Sequence, residues 1–111
     1  MNIKTIAKVC QVIDPKLERD FNPKHTLSVL TQNIGIWWSW GVNLSTIKNL
    51  SDKCLMFKPN GRYFKGFVCI TLGWDDVYKV HFVSNDYKLT KSIEGVYFDM
   101  LVNVIDAEVE G

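Results

Sequence analysis

The chain has 111 residues, of which 47% are hydrophobic and 23% charged, and its formal net charge is +1. This length fits one domain over residues 1–111, and the composition excludes a disordered or low-complexity chain. The small total hides a division: residues 1–65 carry a net +6 and residues 66–111 a net −5. That asymmetry marks either a basic surface for nucleic acid or two halves whose charges offset on packing.

Residues 2–13 read as a helix, because Ile3, Ile6, Val9, Cys10 and Ile13 form one stripe of a 3.6-residue period. Pro15 stops it, and Asp14-Pro15 suits a short turn through Leu17. Asn22-Pro23 opens a second helix to about Gln32, with Asn22 as N-cap and Leu27 and Leu30 facing inward.

Residues 34–42 hold three of the four tryptophans: Trp37, Trp38 and Trp40. Such a density makes either a core keystone or an aromatic binding surface. Read as extended chain, the segment puts Trp38 and Trp40 on one face and Trp37 on the other. Residues 43–52 read as a loop with a short helical turn.

From Lys53 the period becomes two. Asn60-Gly61 predicts a two-residue type I′ hairpin turn that sets Phe57 opposite Phe64. The next strand places Phe64, Val68, Ile70 and Leu72 on one face and Phe67, Cys69 and Thr71 on the other. After Gly73-Trp74-Asp75-Asp76, a strand places Tyr78, Val80 and Phe82 on the first face and Lys79, His81 and Val83 on the second, across an odd-length loop. Asn85-Asp86 closes a further hairpin into residues 87–93, an edge guarded by Lys88 and Lys91. Gly95 ends the sheet, and Tyr97, Met100, Leu101, Val104 and Ile105 form a closing amphipathic helix. The expected fold is α+β: N-terminal helices, a four-stranded antiparallel meander and a C-terminal helix packed on it.

The three cysteines, Cys10, Cys54 and Cys69, form no C-x-x-C pair, so no disulfide framework or zinc ribbon is indicated. Lys4 and Lys8 interrupt any secretory apolar segment, and no run reaches the ~20 residues of a membrane helix. A cytoplasmic protein without membrane contact is expected. The sequons at Asn43 and Asn49 are then chance matches.

The strand Phe67-Val68-Cys69-Ile70-Thr71-Leu72, the turn with Asp76-Val77-Tyr78 and the ending Glu94-Gly95-Val96-Tyr97-Phe98-Asp99-Met100-Leu101 carry a resemblance. Over residues 53–108 the chain resembles a group of small uncharacterised proteins from bacterial genomes and their phages or mobile elements. The resemblance implies an α+β fold and an intracellular, mobile-element context. It assigns no activity and no site residue.

Four candidate sites stand out. Trp74, in a turn beside two aspartates, and Trp37 are candidates for a protein interface. Lys58, Arg62, Tyr63 and Lys65 combine cations and aromatics around one hairpin, with Lys79 as a neighbour on the sheet, as a nucleic-acid surface would. Cys69 and His81, opposite in register, pair a thiol with an imidazole, but no orienting group or oxyanion hole accompanies them. Asp75-Asp76 fits an ordinary turn. No phosphate loop, catalytic motif or metal-ligand spacing occurs, and no cofactor is expected. These features favour a small accessory or regulatory protein, monomeric or homodimeric, that binds a protein partner rather than an enzyme. The alternative is a nucleic-acid-binding domain built on the basic hairpin.

Overall fold

The computed structural model describes residues 3–111; residue 2, where the sequence reading starts the first helix, lies outside them. The architecture is α+β, a five-stranded antiparallel sheet with helices at both chain ends.

Helix α1 (Ile3–Ile13) presents Val9 and Ile13 to the sheet, while Ile3, at the start of the predicted stripe, is 84% exposed. A tight turn at Asp14–Lys16 follows, as Asp14-Pro15 predicts. Helix α2 (Pro23–Thr31) begins at the predicted cap: the Asn22 side chain accepts from the Lys24 N–H at 3.1 Å and the His25 N–H at 3.4 Å.

The tryptophan segment is not extended. It forms a short helix, α3 (Ile34–Ser39), capped by the Asn33 side chain accepting from the Ile36 N–H at 3.3 Å. Helical spacing reverses the predicted faces. Trp37 and Trp40 lie three apart and turn inward, and Trp38 turns out.

The sheet gains a strand over the four expected. Strand β1 (Lys48–Leu50) lies in the segment read as loop and pairs with β2 (Cys54–Phe57). Ser51 and Asp52 join them, both at positive φ, with the Lys53 N–H on the Leu50 carbonyl at 3.0 Å. That is the backbone a type I′ turn requires, made here without the usual Asn-Gly. Asn49 secures it: its side chain bonds the Asp52 carboxylate at 2.6 Å and the Asp52 N–H at 2.8 Å.

Strands β3 (Phe67–Leu72), β4 (Tyr78–Val83) and β5 (Leu89–Val96) complete a meander in sequence order, so β1 and β5 are the edges. The predicted alternation of β3 and β4 holds, including Cys69 opposite His81, and the loop between them has five residues, an odd number. Gly95 does not end the sheet. Its φ of +67° places it at a bulge, and Val96 still pairs with Tyr78.

The Asn60-Gly61 hairpin is absent. Phe57 pairs with Val68 rather than facing Phe64, and residues 58–66 form a nine-residue connection. The connection is drawn over the end of helix α4 (Leu101–Val109): the Tyr63 N–H donates to the Val109 carbonyl at 2.9 Å. Gly61 lies against Val109, where a Cβ would meet the Val109 carbonyl oxygen at 2.5 Å. So Gly61 serves close approach, not turn curvature. Gly61→Ala is expected to lose about 1–3 kcal/mol, read from the urea midpoint.

Two cores flank the sheet. On one face Leu55, Phe57, Val68, Ile70, Val80 and Phe82 pack under α2, α3 and α4. On the other, Cys54, Met56, Phe67, Cys69 and Val83 pack under α1, with Leu17 and Tyr87 packed beside it. Both sheet faces are covered. The closing helix starts later than predicted: Phe98–Met100 is a separate tight turn, and α4 buries Leu101, Ile105 and Val109. Tyr97 and Met100, assigned by sequence to the buried stripe, are 60% and 42% exposed.

Candidate binding surface

The Cys69–His81 pair is brought together in register but not as a thiolate and an imidazolium. The His81 Nε2 pairs with the Thr71 hydroxyl at 3.1 Å and Nδ1 with the Ser92 hydroxyl at 2.8 Å. Burial, assisted by the positive charges of Lys16 and Lys79, pushes the His81 pKa down to about 4. A hydrogen bond with Cys54 together with burial holds the Cys69 thiol well above the usual thiol range. Catalytic cysteines need the opposite shift. Asp76 forms an ion pair with Arg19, whose backbone bridges to Leu72, so this turn ties the segment between α1 and α2 to the sheet. Among the described residues no group of three His, Cys, Asp or Glu side chains is arranged to hold a metal ion.

The five basic and aromatic residues read as one surface are divided. Lys58, Arg62, Tyr63 and Lys65 share the β2–β3 connection. Arg62 and Tyr63 are exposed above the end of α4, and the Arg62 N–H donates to the Glu110 carboxylate at 3.3 Å. Lys58 and Lys65 instead line a cleft below. Lys79 does not neighbour them: it pairs with Thr71, four residues along the strand from the Phe67–Val83 pair. Its ammonium is held by Glu18 at 2.6 Å, a contact that raises its pKa.

Of the two tryptophans proposed for an interface, Trp74 is 74% exposed, but Trp37 is buried at 5%. Trp37 packs edge-on against Trp40 and Phe57, at ring separations of 5.7 and 5.6 Å. The exposed member of the cluster is Trp38, at 69%. Ile34, 54% exposed, stands one turn before it on the outer face of α3. Beside the start of α3 lies a groove of 260 Å³, with Val29 and Asn33 on one wall and Phe98 and Val102 on the other. Phe98 is 61% exposed and is flanked by the exposed Tyr97 and Met100.

Sequence reasoning missed this patch for a local reason. A period of two pairs Trp38 with Trp40, and a 3.6-residue period assigns Tyr97 and Met100 to the helix stripe. The spacing of Asn33 to Ile36, a cap and its third residue, was the signal that α3 is helical.

Among the described residues no helix is long and apolar enough to cross a membrane. Compared with family models, curated proteins and solved structures, the chain matches none.

Proposed function

We propose that the protein acts by binding another protein through the apolar patch of Ile34, Trp38, Tyr97, Phe98 and Met100. The observation that carries this reading is the exposure of these five large apolar side chains, Phe98 among them lining a groove, although both faces of the sheet are already covered. Exposed apolar clusters of this kind mark association surfaces, and aromatic anchors supply most of the binding energy there. The patch is offered by helix ends and a tight turn rather than by a deep cavity, which suits an accessory or regulatory role. Three free cysteines support a reducing, cytoplasmic setting, and the resemblance noted above supports a mobile-element origin.

A photo-crosslinking residue at position 98 tests the reading in extracts of the source cells. It is expected to capture one defined protein. Ile34→Glu combined with Trp38→Glu is expected to abolish capture while changing stability by no more than ~0.5 kcal/mol, because both side chains are exposed. Capture that survives the double substitution overturns the proposal. So does equal capture from position 11, which is exposed on α1 across the sheet.

A further inference from the structure

Beyond the C-terminal end of α3, three loops converge on a cleft of 420 Å³. Asn43 comes from the segment after α3, Lys58, Asn60 and Lys65 from the β2–β3 connection, and Asn85 from the β4–β5 turn. No carboxylate lines the cleft.

The Lys58 ammonium donates to the Lys65 carbonyl at 2.5 Å and to the Asn85 side-chain oxygen, and it lies 4.8 Å from the centre of the Phe67 ring. All three partners are neutral, so no anion offsets the charge. Burial pulls the Lys58 pKa below the ordinary lysine value, the mark of an ammonium short of solvation.

Two of the three asparagines, Asn43 and Asn85, are oriented by their oxygens. Asn43 Oδ1 accepts from the Ser45 N–H at 3.1 Å and the Ser45 hydroxyl at 2.8 Å, and Asn85 Oδ1 accepts from Lys58. Their remaining polar groups are amide N–H donors. Among the described residues no acceptor takes up the Nδ2 of Asn43, Asn60 or Asn85, or the Lys65 ammonium. The wall is held in place by its backbone. The Asn60 N–H donates to the Trp40 carbonyl at 2.8 Å, and the Lys58 N–H donates to the Thr46 hydroxyl at 2.9 Å.

We propose that this cleft binds a phosphate group, either free inorganic phosphate or the phosphate of a small phosphomonoester. Two ammonium groups supply the charge, the Asn43 and Asn85 amides supply directed hydrogen bonds, and the Asn60 amide is free to turn toward the ligand. The lining is rich in donors, and a tetrahedral oxyanion brings enough acceptor oxygens to meet several at once. A carboxylate, with two oxygens, leaves more of them unmet. The cleft is larger than a phosphate ion and leaves room for a small organic group. This site is separate from the apolar patch and does not depend on the protein-binding reading.

The test follows the amide resonances of the full chain by NMR. The probes are inorganic phosphate, ribose 5-phosphate, sodium chloride at matched ionic strength and a mixed-sequence oligonucleotide. Phosphate or ribose 5-phosphate is expected to cause saturable shifts at the side-chain amides of Asn43, Asn60 and Asn85, and chloride none. Tighter binding of ribose 5-phosphate supports a phosphorylated small molecule, and equal binding supports the free ion. Lys58→Met and Asn60→Asp are each expected to weaken binding about tenfold or more. Asn60 is exposed, so its variant decides the matter if Lys58→Met does not fold. The absence of localised shifts overturns the proposal, as do shifts unchanged in Asn60→Asp. Saturation by the oligonucleotide alone, with shifts reaching Arg62 and Tyr63, overturns it in favour of a nucleic-acid surface.

Discussion

Trp40→Ala is expected to cost about 3–5 kcal/mol, the largest loss of any single substitution considered. Trp40 is fully buried and is the largest such side chain in the protein. Its ring lies parallel to that of Phe57 at 6.2 Å, and its indole N–H donates to the Asp106 carboxylate at 3.0 Å. One side chain therefore joins α3, the sheet and α4. Alanine opens a cavity at that junction and leaves Asp106 without its donor. A domain of this size commonly has about 5–15 kcal/mol of stability in total, so a third or more is at stake. Urea denaturation measures it. Trp40→Phe keeps one aromatic ring but loses the hydrogen bond and part of the indole volume, so a smaller loss than in alanine, about 1–3 kcal/mol, is expected. Trp38→Ala, at an exposed position of α3 two residues before the Trp40 cap, should stay within ~0.5 kcal/mol. Equal losses at positions 38 and 40 would contradict the inward and outward assignment of α3.

Acid is expected to destabilise the fold through His81. The side chain is 1% exposed, and both ring nitrogens are paired with hydroxyls. Its pKa is about 4 in the folded chain, against an ordinary value of 6.5. Between those values the unfolded chain takes up a proton that the folded chain refuses. Stability therefore falls as pH drops from 6.5 toward 4, and this contribution levels off below 4. Each unit is about 1.4 kcal/mol, so the loss approaches roughly 3 kcal/mol. His81→Gln keeps a polar group between Thr71 and Ser92 and removes the titration. Stability measured against pH should then be flatter in the variant over that window. Parallel profiles for the two proteins would show that His81 is not the group responsible.

What the sequence made legible was the part governed by strict periods and caps. Asn22-Pro23 located α2, and the alternation through β3 and β4 fixed the pairing of Cys69 with His81. Lys88 and Lys91 foretold an edge, and β5 is one. Errors arose where tertiary contact overrode a local signal. Asn60-Gly61 is a strong hairpin dipeptide, yet the chain there follows the end of α4, a helix more than 40 residues later. Ser51-Asp52 makes, between β1 and β2, the kind of turn that Asn60-Gly61 predicts between Phe57 and Phe64. Strand β1 is three residues long, too short for a period to register. The phosphate cleft was half visible. Lys58 and Lys65 were named for their charge, but Asn43, Asn60 and Asn85 come from three loops that no spacing rule connects.

The second core, closed by α1 with Leu17 and Tyr87 beside it, gives the molecule a hatch. Trp40, Phe57 and the rest of the other core do not include that helix, so lifting it is expected to leave their packing in place. Local opening of this kind needs less free energy than global unfolding. Two of the three sulfur atoms, those of Cys54 and Cys69, lie under the hatch, and Cys10 sits half-buried on the helix itself. The rate at which a thiol reagent reaches the two covered sulfurs is therefore expected to report openings of one helix rather than global unfolding. The protein carries its own clock for that motion.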